Sequence, residues 1–367
     1  MENTILCSNP KMQFISQKQE IIDSVMRVMN SDRYILGSEV LGFEEEFASY
    51  LGVSHCIGVN SGTDSIILGL KAIGIKKGDE VVTPSHTAVA TVAAIVACGA
   101  TPVFADIHPI SYTLDPHSVR RVITAKTKAI IAVHLYGHPC DMDLLTQIAN
   151  ENDLFLIEDC AQAHGAKWRN RMVGTFGVLA CFSFYPTKNL GAIGDGGAVV
   201  TNDTEIANSL RRLRQYGWDA DKQAQTQSTV SRLDEIQAAI LRVKLKKLDL
   251  ANEKRRNISK IYSNLLKNSE LLLPVVNSSA EHVFHLYVVQ SEKRDQIIHH
   301  LNQEAIFPGI HYSNPVHMQP AYIKLGKDNP IKLSVTESIR KRILSLPMYP
   351  ELTQKEIERI CASVLSV

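Results

Sequence analysis

Short apolar runs alternate with segments of helical periodicity along the first part of the chain. The apolar runs cover 56–59, 80–83, 102–105, 129–134, 154–157, 180–184 and 198–201. The segments whose apolar residues recur at helical spacing cover 21–29, 40–50, 66–73, 87–98, 141–150 and 204–214. Strands that are apolar throughout are typical of a parallel sheet with helices on both faces. The pattern therefore predicts an α/β fold with a mostly parallel central sheet.

Several helix starts are predicted from capping residues. Residues 16–19 have the capping-box pattern, so we predict that a helix begins at Ser16. Ser38 precedes a second helix, and residues 231–234 open a longer one. The composition turns charged at 246–256. We place a domain boundary there and predict an arm, a large domain and a small α+β domain at 1–15, 16–248 and 249–367.

The composition is that of an ordinary globular protein, with 45% hydrophobic and 21% charged residues in a chain of 367. This length exceeds that of a single hydrophobic core, which agrees with two domains. A net charge of +1 gives no support for a nucleic-acid partner or a membrane-surface protein. We interpret the basic cluster of Lys244, Lys246 and Lys247 as the solvated face of a helix.

The cysteines and the apolar runs indicate the compartment. The seven cysteines are far apart and form no CxxC pair, so we expect a reducing environment and no metal site. Residues 1–10 lack the pattern of a signal peptide. No apolar run reaches the roughly 18 residues that span a bilayer. We therefore expect a cytoplasmic protein.

One lysine lies between an apolar run and a glycine-rich loop. Lys188 follows Pro186, which ends the predicted strand, and precedes the glycines of 191–197. Loss of solvent at the end of a buried strand lowers the pKa of a lysine and favours the neutral amine that attacks carbonyl groups. A solvated surface lysine is the alternative from this pattern alone, because most lysines are exposed.

Two other strand ends carry candidate chemistry. Residues 61–64 lie between a strand and a helix, where free N–H groups bind phosphate and Gly62 allows close approach. An ordinary N-cap by Thr63 explains that segment equally well. The run 154–157 leads into Asp159, which can pair with a cationic ring nitrogen of a cofactor. The alternative is an acid in a loop or a cap.

A lysine, an acid for a ring nitrogen and a phosphate cradle on one sheet are what a Schiff-base site for pyridoxal 5′-phosphate (PLP) requires. Other cofactors lack their fingerprints. The chain has no GxGxxG after its first strand and no GxxxxGK[ST]. The three strand ends together therefore predict PLP.

At these residues the chain resembles the DegT-type nucleotide-sugar aminotransferases, which are fold-type-I PLP enzymes of the aspartate aminotransferase superfamily. The similar blocks are 34–37, 78–87, 158–165, 188, 231–239, 285–287 and 346–350. The resemblance implies a three-layer large domain, a smaller C-terminal α+β domain, and a homodimer that shares its active sites.

The resemblance also implies a role for each matching residue. Lys188 would bind PLP covalently, Asp159 would pair with its pyridinium nitrogen, and Gln162 would lie near its phenolic oxygen. The implied cofactor-binding residues are Gly62, Thr63, Asp64, Asp159, Gln162, Ser183 and Lys188. The implied substrate-binding residues are Tyr185, His311, Tyr312 and His317.

Two positions depart from the family pattern. The family commonly has an Asn where this chain has Val230, and that Asn reaches the phosphate of the neighbouring subunit. Either Ser231 substitutes for it, or the phosphate has one donor fewer. The family often has an aromatic residue where this chain has Ala88, so stacking on the ring would come from another group such as His86.

The implied reaction transfers an amino group from L-glutamate to a nucleotide-linked keto-sugar. The segment from Tyr185 to Asp195 is similar to members that act on 3-keto sugars, so we expect a dTDP-3-amino-3,6-dideoxyhexose as product. Amination at C-4 of a dTDP- or UDP-4-keto-6-deoxyhexose, and at C-3 of a UDP-sugar, stay open. A sugar dehydratase is disfavoured because those relatives replace the lysine with His. A non-catalytic PLP-binding regulator is disfavoured because no DNA-binding segment is left over.

Overall fold

The computed structural model describes residues 4–367. The strands are β1 (Ile5–Leu6), β2 (His55–Val59), β3 (Glu80–Pro84), β4 (Thr101–Ala105), β5 (Thr127–Val133), β6 (Phe155–Asp159), β7 (Lys167–Trp168), β8 (Arg171–Met172), β9 (Leu179–Ser183), β10 (Gly197–Thr201), β11 (Ala280–Glu281), β12 (Tyr287–Gln290), β13 (Ile306–Phe307) and β14 (Ile343–Leu346). The helices are α1 (Pro10–Ser16), α2 (Lys18–Met29), α3 (Ser38–Leu51), α4 (Gly62–Ala72), α5 (Val89–Ala97), α6 (Pro116–Val122), α7 (Met142–Glu151), α8 (Thr204–Leu213), α9 (Glu235–Leu245), α10 (Leu248–Leu266), α11 (Arg294–Gln303), α12 (Ile323–Lys327), α13 (Ser334–Ile339) and α14 (Gln354–Leu365).

A seven-stranded sheet forms the centre of the larger part, in the order β2-β10-β9-β6-β5-β3-β4. β10 is antiparallel to both of its neighbours, β2 and β9. The remaining pairs are parallel. Each predicted apolar run corresponds to one of these strands, which confirms the mostly parallel sheet.

Alternate residues of the strands face two separate cores. In β9, Leu179 and Cys181 pack in the core that includes residues of α4, α5 and α8. Ala180 and Phe182 of the same strand pack with residues of α3 and α9 on the opposite face. Because successive side chains of a strand point to opposite faces, one sheet supports both layers of helices. The three-layer α/β fold is confirmed.

The C-terminal part has its own core. β12 and β14 form an antiparallel pair, and residues of α10, α11 and α14 pack against them. β1 pairs in parallel with β13, and Ile5 enters this same core. This is the predicted α+β arrangement, while the domain limits at 15 and 248 remain predictions. Within the described residues, no helix is both long enough and apolar enough to cross a bilayer.

One local prediction is wrong, and a second is wrong for one of its three residues. Ser16 ends α1 and donates to the carbonyl of Gln13 at 2.9 Å, and α2 begins at Lys18 without a side-chain cap. In the basic cluster Lys246 is exposed and Lys247 half-buried, but Lys244 is 7% exposed and donates to the carbonyl of Gly191, so it is not on a solvated face. It lies on the side of α9 that packs against the rest of the protein, and burial lowers its pKa to about 8.

Candidate active site

The predicted residues lie along one edge of the large sheet. Asp159 ends β6, Ser183 ends β9 and Ser61 follows β2. β6 and β9 are parallel neighbours. β2 runs in the same direction because β10 is antiparallel to both β2 and β9. Ligands of open α/β sheets bind outside the carboxyl ends of such strands.

Lys188 lies in the turn that follows β9. Its backbone N–H donates to the carbonyl of Tyr185 at 2.9 Å. Tyr185 is 53% exposed, whereas Lys188 is partly buried. Desolvation lowers the pKa of Lys188 to about 8, although attraction to the Asp159 carboxylate acts in the opposite direction. The structure thus favours the reactive lysine over the solvated one, because a pKa of about 8 gives a far larger fraction of neutral amine than the ordinary value of 10.5.

Asp159 is buried at the end of β6. Burial raises the pKa of its carboxyl group, and hydrogen bonds and the charge of Lys188 act against this rise. The Thr91 hydroxyl donates to Asp159 Oδ2 at 2.8 Å, and the backbone N–H of Ala161 donates to Oδ1 at 3.1 Å. These donors hold the carboxylate in one orientation and favour its ionised form.

The start of α4 forms a concave cradle beside Ser183. Ser61, rather than Thr63, is the N-cap, and its hydroxyl accepts from the backbone N–H of Asp64 at 3.1 Å. Among residues 4–367, no protein group accepts a hydrogen bond from the N–H of Gly62 or Thr63. A Cβ atom at Gly62 would lie 2.5 Å from Ser183 Cβ and 2.9 Å from its Oγ. Free amides, a hydroxyl and the helix dipole at one point suit an anion such as phosphate.

Ser231 is fixed to this cradle within its own chain. It is 3% exposed and contacts Asn60 and Asp64 on the two sides of the β2–α4 turn. Its hydroxyl is therefore already engaged, which argues against the expectation that Ser231 reaches a neighbouring subunit. Val230 beside it is 46% exposed.

Gln162 connects the site to the C-terminal part of the chain through Tyr312. Its Oε1 accepts from the backbone N–H of Tyr136 at 2.6 Å, and its Nε2 donates to the Tyr312 hydroxyl at 3.2 Å. The Tyr136 hydroxyl lies 2.6 Å from His86 Nε2 and also donates to the carbonyl of His311. Tyr136 has a φ of 60°, a left-handed conformation that costs energy for a residue with a side chain. These contacts fix Gln162 at the edge of the sheet.

Of the four predicted substrate-binding residues, His311 and Tyr312 interact with other residues of the site, since the charge of Lys188 acts on His311 and the Tyr312 hydroxyl accepts from Gln162. Desolvation, with the charge of Lys188 as a lesser cause, lowers the pKa of His311 to about 4. Desolvation raises the pKa of Tyr312 to about 12. Tyr185 is exposed at the rim beside Lys188. The His317 ring contacts Glu337 and Ser85, and Ser85 follows the carboxyl end of β3, next to His86.

A group of possible metal ligands, His134, Glu158 and Cys160, lies buried below the sheet edge. Glu158 accepts three backbone N–H bonds, and its Oε2 lies 3.1 Å from His134 Nε2. The other ring nitrogen of His134 accepts from the backbone N–H of Cys140 at 3.0 Å. The imidazole proton is therefore on Nε2, and these atoms form an internal hydrogen-bond network.

Two contributors to the site were not found from the sequence. Thr91 contacts Asp159 from α5, and Tyr136 supports Gln162 from the turn after β5. The only signal for Thr91 is a hydroxyl residue one helical turn after Thr87, within an otherwise apolar helix. Tyr136 lies in the loop after the predicted strand 129–134, and nothing in the local pattern distinguishes it from an ordinary loop residue.

The assembled groups fit PLP. The cradle at Gly62 and Ser183 suits a phosphate, the buried Asp159 suits a ring cation, and the low-pKa amine of Lys188 suits a carbonyl. His86 is fully buried and contacts Tyr136 and Tyr312 through its ring.

The chain is similar to characterised sugar transaminases over nearly its whole length. It is 45% identical over 356 residues to the dTDP-3-amino-3,4,6-trideoxy-alpha-D-glucose transaminase of Streptomyces venezuelae, with 96% of this chain and 93% of the relative covered. It is 44% identical over 347 residues to the dTDP-3-amino-3,6-dideoxy-alpha-D-galactopyranose transaminase of Aneurinibacillus thermoaerophilus, with 95% of each chain covered.

A solved structure gives the same result. The crystal structure of S. venezuelae DesV in complex with a ketimine intermediate superposes with a TM-score of 0.95 at 43% identity, over 99% of this chain and 98% of DesV. The family model for DegT/DnrJ/EryC1/StrS aminotransferases matches residues 16–365. The chain therefore belongs to the DegT/DnrJ/EryC1/StrS aminotransferase family.

Proposed function

We propose that this protein is a PLP-dependent transaminase that converts a dTDP-linked 3-keto-6-deoxyhexose to the 3-amino-3,6-dideoxyhexose, with L-glutamate as amino donor. The observation that carries the proposal is a low-pKa Lys188 close enough for its charge to act on the buried Asp159, at the edge of a mostly parallel sheet. The names of the two transaminase relatives support the dTDP-sugar and the C-3 position.

Lys188 and Asp159 have separate roles in this proposal. When bound, PLP supplies an electron sink for the electron pair released at the α-carbon of the donor. Lys188 Nζ would hold the cofactor, and its amine would take the proton from that α-carbon. In the second half-reaction the same amine would deliver a proton to C-3 of the sugar. Asp159, held by hydrogen bonds from Thr91 and Ala161, would supply the negative charge for the ring nitrogen.

The cradle at the start of α4 would hold the phosphate of the cofactor. Its donors would be the backbone N–H groups of Gly62 and Thr63 and the hydroxyl of Ser183. These two N–H groups have no protein acceptor among residues 4–367, which leaves them available to an anion, whereas the N–H of Asp64 is taken by the Ser61 cap. Gln162 would lie beside the phenolic oxygen of the ring, with its amide oriented by Tyr136.

The sugar nucleotide would approach from the side of the small domain. Tyr185 at the exposed rim, with His311 and Tyr312, would contact it, and we retain His317 as a further candidate. Burial keeps His311 neutral at physiological pH, because its pKa is lowered to about 4. A neutral imidazole can accept a hydrogen bond from a sugar hydroxyl.

We further propose a homodimer whose subunits share the active sites. Exposed apolar side chains gather around the start of α9 and the loop after Lys188. They are Tyr34, Ile35, Tyr185, Ile193 and Val230. Ile35 forms a β-bridge with Asp234, and the backbone of Ile193 donates to Gln237 of α9 at 3.0 Å. Light scattering that finds only monomer at micromolar concentration would contradict this proposal.

A cytoplasmic location is also proposed. All seven cysteines have free thiols, and burial raises the pKa of several of them, for example to about 12 for Cys160. Unoxidised thiols in this number suit a reducing compartment. Fractionation of cells that express the full chain tests this location.

The direct test is a single half-reaction followed by absorption. Adding L-glutamate to the PLP-loaded protein should convert the spectrum to that of pyridoxamine phosphate, and 2-oxoglutarate should form in equal amount. Lys188→Ala should show no conversion. A wild-type protein that binds PLP yet shows no conversion with any amino acid would refute the transaminase and favour the non-catalytic regulator.

The carbon and the nucleotide need a second assay. The protein should be given dTDP- and UDP-linked sugars with the ketone at C-3 or at C-4, and the products identified by NMR. We expect turnover of the dTDP-linked 3-keto sugar to exceed that of the others by at least about a hundredfold, the discrimination that a few polar contacts provide. Preferred turnover of a 4-keto sugar would refute the C-3 assignment.

A further inference from the structure

Ser231 makes two hydrogen bonds across the turn between β2 and α4. The backbone N–H of Asn60, before the turn, donates to Ser231 Oγ at 3.1 Å. Ser231 Oγ donates to Asp64 Oδ2, in the first turn of α4, at 2.7 Å. A hydroxyl has one proton, and Asn60 N–H can only donate, so the proton of Ser231 points to Asp64.

The position of Ser231 is fixed from its other side as well. Its backbone N–H donates to the carbonyl of Arg214 at 2.8 Å. The Arg214 guanidinium in turn donates to the carbonyl of Gly58 at 3.1 Å and to Glu44. Gly58 belongs to β2, which leads directly into the cradle. Ser231 is therefore held at a fixed place relative to the strand that carries the phosphate-binding segment.

The Asp64 carboxylate would repel a phosphate bound at the start of α4, and the hydrogen bond from Ser231 reduces this repulsion. The carboxylate lies in the same helical turn as the free N–H groups of Gly62 and Thr63, where the helix dipole favours negative charge. An unrestrained carboxylate there competes with a phosphate for the same dipole and repels it. A charge-assisted hydrogen bond at 2.7 Å disperses part of that charge and keeps the side chain turned toward Ser231.

We propose that Ser231 is a positioning residue of the cofactor-phosphate cradle, which restrains the Asp64 carboxylate so that the first turn of α4 is free for a phosphate dianion. This inference rests on the proposed function, because it assumes that the cradle holds the phosphate of PLP. It also gives residues 230–231 a role within their own subunit, in addition to any contact of Val230 across a dimer.

The test measures binding of PLP to the apoenzyme in four variants: Ser231→Ala, Asp64→Asn, the double variant and Ser259→Ala. Ser259 is a matched control, a buried serine of α10 whose hydroxyl donates to the carbonyl of Arg256 at 2.8 Å. Each affinity is measured for PLP and for pyridoxal, which lacks the phosphate. Ser231→Cys, which keeps the size of the side chain, replaces Ser231→Ala if the alanine variant does not fold by circular dichroism.

We expect Ser231→Ala to lower the affinity for PLP about tenfold, which is the effect of losing one hydrogen bond to a charged group. The affinity for pyridoxal should stay unchanged. Asp64→Asn in the same chain should restore the affinity for PLP to within about threefold of wild type, since the repelling charge is gone. Asp64→Asn alone should bind PLP no more weakly than wild type, and Ser259→Ala should match wild type.

Two results would overturn the proposal. The first is an equal loss for PLP and pyridoxal, and the second is a double variant no better than Ser231→Ala. Both mean that Ser231 acts through general loop structure. Ser183→Ala, which removes the cradle hydroxyl, and Gly62→Ala, whose Cβ would lie 2.5 Å from Ser183 Cβ, separate this failure from failure of the proposed function. If these two variants bind PLP more weakly than wild type and Ser231→Ala does not, the proposed role of Ser231 is wrong. If they bind PLP as tightly as wild type, the assignment of the cradle to the phosphate is wrong.

Discussion

Replacing Thr91 by valine tests how the structure keeps Asp159 ionised. The Thr91 hydroxyl is fully buried and donates to Asp159 Oδ2 at 2.8 Å. Thr87 lies behind it, with 3.1 Å between the two hydroxyl oxygens. Because the proton of Thr91 goes to Asp159, Thr87 donates to Thr91, and the three groups form a chain. Valine keeps the shape of threonine and removes only the donor.

The direction and size of the effect follow from the groups around the carboxyl. Burial raises the pKa of Asp159, and the hydrogen bond from Thr91 lowers it, so removal of that bond raises the pKa further. A hydrogen bond to a charged group contributes about 1.5–3 kcal/mol, which corresponds to about one to two pKa units. The proposed reaction needs the ionised carboxylate. Activity should therefore be lost at a higher pH as the solution is acidified.

The measurement is kcat/KM for the sugar substrate against pH, because this ratio reports the ionisation of the free enzyme. The acid limb of Thr91→Val should lie about one to two units above that of wild type. Thr91→Ser keeps the hydroxyl and should restore the wild-type limb, and Thr87→Val, one step removed from Asp159, should shift it less. An unchanged acid limb in an active Thr91→Val enzyme would show that Thr91 does not stabilise the ionised Asp159.

Three other substitutions test separate parts of the structure. Lys188→Ala should lower turnover about 10⁴-fold. After borohydride reduction and denaturation this variant should retain no covalently bound cofactor, and retention would contradict the role of Lys188. Gly62→Ala should lower the equilibrium affinity for PLP at least about tenfold, because the new Cβ would lie 2.5 Å from Ser183 Cβ. The burial of Lys244 lowers its pKa from 10.5 to about 8, so the unfolded state binds more protons between these values and stability should rise with pH in that window. In denaturant unfolding, the rise of the free energy of unfolding across this window should be about 3 kcal/mol larger in wild type than in Lys244→Met, and equal rises would refute the burial of a titrating Lys244.

The residues at strand ends can be predicted from the local sequence for a physical reason. Apolar runs identify the strands, and in a parallel sheet their carboxyl ends meet at one edge. Asp159 lies just after one such run, and Gly62 and Lys188 each follow another. Their proximity therefore requires only the strand assignment and the fold class. The resemblance then supplied the role of each residue, which the local pattern does not contain.

The supporting contacts were not accessible in this way, because they join distant parts of the chain. Thr91 is 68 positions from Asp159, and Ser231 is 167 positions from Asp64. Each pairing depends on how a helix or a loop packs on the sheet, and the local periodicity does not specify it. The same limit explains Lys244, whose burial depends on which side of α9 faces the protein.

Desolvation connects the chemistry of the site to the assembly of the protein. It is the leading cause of both perturbed pKa values, the lowered one of Lys188 and the raised one of Asp159. Water entering the site would move both pKa values toward those of solvated groups, and Lys188 would then be almost fully protonated. In the single subunit the rim at Tyr185 and Val230 is still exposed. A second subunit that covers this rim would limit the entry of water, so the proposed dimer should preserve the lowered pKa of Lys188 and with it the reactive amine.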